Sequence, residues 1–376
     1  GRDEAGILAL RSGVDSDLGG NCFSADLVRA CREGRLAEAD IDRAVSRILR
    51  LKFKMGLFDN PYVKVKKAEK LIGTSGHREV AREVARQSVV LLKNENQLLP
   101  LSKEVKRVAV IGPNADNVYN QLGDYTAPQA PGSVITVLEG IRQKLPGAEV
   151  RYVKGCAVRD TLDTSIGEAC ETAKNSDVVV VVLGGSSARD FETDFLETGA
   201  AVANERKVSD MESGEGFDRI GLSLMGKQVE LLKALYATGR PVVLVMVQGR
   251  PLELNWAAEH IPAILTTWYP GGEGGRAIAD VLFGDYNPAG RLPLSYPRHV
   301  GQLPVYYNHK SAERHDYVEG TAAPLYPFGF GLSYTTFVYE GIDVRVEGDS
   351  VRVSVDVKNV GGRAGDEVVQ LYLRDE

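Results

Sequence analysis

Five short segments of this chain, at 107–112, 149–153, 177–183, 241–247 and 261–267, alternate with segments of helical period at 136–144, 165–175, 225–236 and 274–282. Several of the five are apolar throughout, Val178 to Leu183 among them. A strand that is apolar on both sides must be covered on both sides. Strand and helix in alternation then specify an open, mostly parallel sheet with helices on its two faces. A further edge strand is expected at 292–296. Ligands of such sheets sit beyond the carboxyl ends of the strands, so the loops that follow strands are where chemistry is sought.

The flanks read differently. Ser24 opens a short helix as its cap, and 38–55 forms a longer one with Ile41, Val45, Ile48 and Leu49 at helical spacing. Gly56 stops it. Before them, a short apolar segment runs into acids and glycines at 12–20, the pattern of a strand-to-helix unit, which cannot bury its own strand without a larger sheet. Residues 61–76 are rich in Lys and read as a linker, and 77–93 reads as a helix. Residues 300–335 are loop-like. Beyond them 337–346, 351–359 and 367–374 alternate with period two, as in an antiparallel β-sandwich.

Chemistry-bearing candidates are few. The net charge of −6 excludes a general nucleic-acid binder, which needs a basic face. No run of about 18 apolar residues predicts a membrane span. The cysteines Cys22, Cys31, Cys156 and Cys170 show no CxxC spacing, and the histidines, His309 and His315 among them, show no metal-ligand spacing. These spacings predict no metal site. The glycines at 271–275 match no phosphate-binding fingerprint and read as a tight strand-to-helix turn. That leaves the segment after Leu183, too long for an idle connection. It carries Arg189, Asp190 and Phe191, then Glu212, Glu215, Asp218 and Arg219. Gly214 and Gly216 free the backbone around Glu215 to approach a ligand. Read from spacing alone, this is either a catalytic carboxylate or a solvated acidic loop. Asp218 and Arg219 read equally as a bracing ion pair.

Glu215-Gly216-Phe217-Asp218-Arg219, followed by Leu222-Ser223-Leu224-Met225-Gly226-Lys227-Gln228, resembles the acid/base loop of glycoside hydrolase family 3. Residues 88–101 resemble the entry to that family's second domain, 108–116 its first strand, 268–275 and 287–293 its later loops, and 326–334 its exit into a fibronectin type III-like domain. The resemblance implies a retaining β-glucosidase or β-xylosidase, with Glu215 as general acid/base and Glu212 as the runner-up. It implies that Arg189, Asp190, Phe191, Asp218 and Arg219 line the substrate entrance, and that 120–125 faces the cleft in the manner of the xylosidase branch. The substrate would be a β-linked oligosaccharide or aryl glycoside, the enzyme would be exported, and no metal or organic cofactor is implied, because glycoside hydrolysis needs only two carboxyls and water. The family's nucleophile is an Asp in a barrel motif of Ser-Asp-Trp type. Trp256 and Trp268 both fall in the α/β region, and Asp15 and Asp17 match no such motif. The expected organisation is therefore the last strand-helix part of a (β/α)8-type barrel at 1–60, a linker and lead-in helix at 61–86, an α/β sandwich at 87–300, a connector at 301–335 and the start of a fibronectin type III-like β-sandwich at 336–376. A barrel half, in the same or a separate chain, would supply the nucleophile. The competing reading is a carbohydrate-binding or assembly module, inactive by itself. A nucleotide-dependent enzyme is disfavoured by the missing glycine fingerprints.

Overall fold

The computed structural model describes residues 1–189, 209–308 and 316–374. Within these, the chain divides into a unit of residues 1–74 and a second unit that begins at Ser75.

The first unit holds four helices: α1 (Arg2–Arg11), α2 (Ala25–Arg32), α3 (Glu38–Lys54) and α4 (Val65–Leu71). The Ser24 hydroxyl accepts the Asp26 N–H at 3.3 Å and caps α2 as expected. The apolar residues before position 12 do not form a strand. They lie in α1, where Ile7 and Leu10 are buried three residues apart while Leu8 is exposed. With Leu27, Ala30, Leu36 and Ala44 they make a small core. Residues 12–20 are a loop pinned by Asp17, whose carboxylate accepts N–H groups from Cys22, Gly20 and Phe23. Those backbone bonds hold its pKa below the usual carboxylate range. Helix α4 lies inside the expected linker. Lys, Ala and Glu favour a helix, yet none of its residues is buried, so composition disguised it.

The second unit is built on a six-stranded sheet: β1 (Val90–Asn94), β2 (Arg107–Ile111), β3 (Glu149–Val153), β4 (Val178–Gly184), β5 (Val242–Val247) and β6 (Ala263–Trp268). The order is β1-β6-β5-β4-β2-β3, parallel except for β1, which runs antiparallel to β6. The five expected strands are all present. The helix expected over 77–93 ends at Ser88 (α5, Ser75–Ser88), and the chain then turns into the sheet edge as β1. The expected strand at 292–296 is reduced to a single bridge between Tyr296 and Tyr326. Val179, Val181 and Leu183 of β4 face one core, and Val178, Val180 and Val182 face the other. This two-sided burial is why the strand is apolar without alternation. Helices α8 (Ile166–Lys174), α9 (Gln228–Tyr236) and α10 (Asn255–His260) contribute to the first core; α7 (Val137–Lys144) and α11 (Gly274–Leu282) contribute to the second. A short helix, α6 (Val118–Leu122), follows β2. Phe337–Glu347 and Ser350–Asn359 form an antiparallel hairpin, β7 and β8. Residues 367–374 were expected to be a third strand and are not one.

Glycines at 274 and 275 do more than turn the chain. A Cβ on Gly275 would lie 1.9 Å from the Thr136 carbonyl oxygen, and one on Gly140 would lie 2.0 Å from that of Gly275. Helices α7 and α11 therefore touch backbone to backbone. Gly275→Ala is expected to cost about 1–3 kcal/mol through forced separation. Gly147→Ala, at a site with nothing within 4 Å, serves as control. Equal denaturant midpoints for the two variants would refute this.

Candidate active site

The sheet reverses its winding between β2 and β4, because β2 pairs with β3 on one side and β4 on the other. Loops leaving the carboxyl ends of β2 and β4 part at that point and open a crevice. A buried polar network ties them together. The Asn114 amide donates to the carbonyls of Gly185 at 3.0 Å and Val247 at 3.2 Å. Asn120 donates to Asn114 at 2.8 Å, and the Ser186 hydroxyl donates to Asn120 at 2.7 Å. Such groups are costly to bury unless satisfied, so the network fixes both loops. The Ser186 carbonyl then accepts the Glu212 and Ser213 N–H groups at 2.8 and 3.3 Å. These bonds bring the segment carrying the candidate carboxylates down beside the crevice. Tyr269, after β6, forms a wall. Its ring lies so close to Gly249 that a Cβ there would be 2.7 Å away.

The two candidate carboxylates occupy opposite environments. The Glu212 side chain is 1% exposed and pairs with Arg219, itself 8% exposed, at 2.6 Å. Its other oxygen lies against Gly185, where a Cβ would come within 2.1 Å. Arg219 also donates to the Ser223 carbonyl. A buried pair of this kind locks a loop and leaves no access for a substrate. Arg219 was expected at the substrate entrance; the structure turns it inward as the brace of Glu212, while Asp218 is exposed. Glu215 stands on a turn between Gly214 (φ +113°) and Gly216 (φ +80°), closed by the Phe217 N–H to the Gly214 carbonyl at 3.1 Å. These backbone angles suit glycine. The Glu215 side chain is 40% exposed. Its Oε2 accepts from the Tyr125 hydroxyl at 2.8 Å and from Arg189 at 3.5 Å. Arg189 also donates to the Glu215 carbonyl at 3.0 Å and grips Asp124 through two bonds of 2.9 and 3.1 Å.

The structure thus pairs Arg189 with Glu215 and Arg219 with Glu212. Asp190 and Phe191 lie outside the described residues, as do His309 and His315. Asp124 and Tyr125 were noted only as part of a segment facing the cleft; their individual roles depend on contacts that spacing does not encode. Among the described residues, no three His, Cys, Asp or Glu side chains converge as metal ligands. No helix among them is long and apolar enough to cross a membrane. The cysteines are free, and burial pushes the Cys156 thiol up to about 12.

The chain thus presents a partly exposed carboxyl on a glycine-flanked turn beside a doubly wound sheet. Residues 89–334 match the glycosyl hydrolase family 3 C-terminal domain, and the chain belongs to glycoside hydrolase family 3. It is similar to a β-xylosidase of Formosa agariphila, at 40% identity over all of this chain and 52% of that protein. It is similar also to a periplasmic β-glucosidase of Salmonella typhimurium, at 37% identity over 99% of this chain and 51% of that protein. A solved β-glucosidase structure from Erythrobacter marinus superposes with a TM-score of 0.80 at 39% identity, covering 97% of this chain and 50% of that one. A Listeria innocua β-glucosidase solved with glucose gives 0.78 at 32% identity, covering 97% and 48%. The chain spans about half the length of the curated relatives it matches.

Proposed function

We propose that this chain supplies the general acid/base of an exo-acting, retaining β-glycosidase of β-xylosidase or β-glucosidase type, and that Glu215 is that residue. The observation that carries the reading is the contrast between an accessible Glu215 and a buried, paired Glu212. In a retaining mechanism the acid first protonates the departing glycosidic oxygen while a second carboxylate attacks the anomeric carbon. The resulting carboxylate then takes a proton from the water that releases the sugar. The second carboxylate must lie about 5–5.5 Å from the first. In this reading it comes from a barrel half, for which residues 1–60 are the closing part, with 61–86 leading into the α/β domain at 87–300. Residues 301–335 connect to the start of a β-sandwich at 336–376. Arg189, together with Asp190, Phe191 and Asp218, shapes the entrance for a β-linked oligosaccharide or aryl glycoside. Export is proposed by likeness to the periplasmic relative.

The test is hydrolysis of aryl β-xylosides and β-glucosides by this chain alone and with an added barrel half. No turnover is expected alone, and turnover is expected on complementation. Turnover by the chain alone would overturn the placement of the nucleophile on a partner half.

A further inference from the structure

The loop after β2 ends in Gly123-Asp124-Tyr125-Thr126, and Tyr125 adopts a left-handed backbone with φ +57°. That region is disfavoured for a residue with a Cβ, and bulky residues found there are held by their surroundings. The holding contacts are specific. The Asp124 N–H donates to the Ser187 hydroxyl at 3.0 Å, and the Tyr125 N–H donates to the Asp124 carboxylate at 2.8 Å. Arg189 grips the same carboxylate; the Arg189 side chain is 13% exposed and the Asp124 side chain 9%. Tyr125 itself is 83% exposed, so burial of its ring does not account for this conformation. What the conformation accomplishes is to set the phenol hydroxyl 2.8 Å from Glu215 Oε2. The Arg189 contact falls on the same oxygen.

We propose that Tyr125 is a positioning residue for the acid/base: its hydroxyl, with the Arg189–Asp124 clamp behind it, occupies Oε2 of Glu215 and reserves Oε1 as the oxygen that carries the transferable proton. The inference rests on Glu215 being the acid/base. Proton donation matters for a sugar leaving group, which departs poorly as an anion, and little for a dinitrophenolate, which departs unaided. Misorienting the acid therefore slows one substrate class selectively, whereas a general loss of folded protein slows both alike.

The experiment compares Tyr125→Phe and Glu215→Ala with the unaltered chain, each with its barrel half, on a disaccharide and on a 2,4-dinitrophenyl β-glycoside. Read as kcat/KM, which reports the step that expels the leaving group, Tyr125→Phe is expected to lose about tenfold on the disaccharide and less than about twofold on the aryl substrate. If Glu215→Ala shows selective loss and Tyr125→Phe does not, the role of Tyr125 falls and the acid/base assignment stands. If Glu215→Ala loses kcat/KM equally on both, the assignment itself falls. A second measurement needs no turnover. With 13C at tyrosine Cζ, and the resonance assigned by its loss in Tyr125→Phe, the Tyr125 phenol is expected to titrate above the ordinary tyrosine range. The bond it donates to Glu215 retains its proton. In Glu215→Ala its titration should fall back toward that range; an unmoved titration overturns the proposal.

Discussion

Replacing Glu215 by Ala in the complemented enzyme is expected to slow release of the sugar by about 10²–10⁴-fold, the usual scale of a general acid/base contribution. Added azide is expected to restore turnover. Water attacking the glycosyl–enzyme must lose a proton, and without the carboxylate nothing accepts it. Azide is already an anion and needs no base. It attacks the anomeric carbon from the face the leaving group vacated, displaces the nucleophile's carboxylate, and yields a β-glycosyl azide. The truncated side chain leaves room for it, because Glu215 stands 40% exposed on its turn. The product is read by mass spectrometry and its anomeric configuration by NMR.

Glu212 supplies the contrast. Glu212→Ala leaves Arg219, 8% exposed, without its carboxylate, and an unpaired buried charge is strongly destabilising. The loop should loosen and activity fall, but azide should not restore it, since no proton acceptor has been removed. Rescue of Glu212→Ala with no rescue of Glu215→Ala would exchange the two assignments. The distinction between the carboxylates is thus one of accessibility. Both lie within the same few residues and both touch an arginine, but one carboxylate is 1% exposed and the other 40%.

Much of the α/β unit was legible because β4 and β5 are buried on both faces and so are apolar without interruption. β1 was not, because Val89 to Leu92 continue an apolar pattern that a helix also accommodates; only pairing with β6 decides the matter. The apolar residues of α1 share this ambiguity: an apolar run of a few residues carries no period until one knows which members are buried. At the site, Gly214 and Gly216 marked Glu215 from sequence, since their backbone angles are those that glycine favours. The burial of Glu212 left no such mark. The bond from Tyr125 to Glu215 joins residues 90 apart and depends on a left-handed tyrosine, which local sequence disfavours. Contacts of that kind come from the meeting of two loops at the switch point and have no signature within either.

The largest expected effect on stability lies away from the crevice, at Asp280 on α11. This carboxylate is fully buried and receives Lys144 of α7 at 2.5 Å and Arg82 and Arg86 of α5 at 2.7 and 2.8 Å. Lys144 also reaches Asp285 at 2.6 Å, and Lys103 joins there. One anion thus fastens three helices on the second face of the sheet. Asp280→Asn removes the charge, nearly preserves the volume, and leaves three cations, each no more than 25% exposed, facing a neutral amide. The expected loss is about 3–5 kcal/mol. The sign of its pH dependence follows from the direction of the shift. Burial alone would raise the pKa of Asp280, but the bonds from Lys144, Arg86 and Arg82 outweigh it and hold the pKa below the usual carboxylate range. Its contribution is therefore complete above about pH 4, where an unfolded aspartate is ionised, and fades as pH falls through the depressed value. Denaturant midpoints of the unaltered chain and Asp280→Asn should differ most near neutrality and converge in acid. A gap that persists unchanged below pH 3 would show that the loss comes from packing. In the complemented enzyme, activity per folded molecule should be unaltered, since Asp280 belongs to the helix contact and Glu215 to the loops at the other side of the switch point's network.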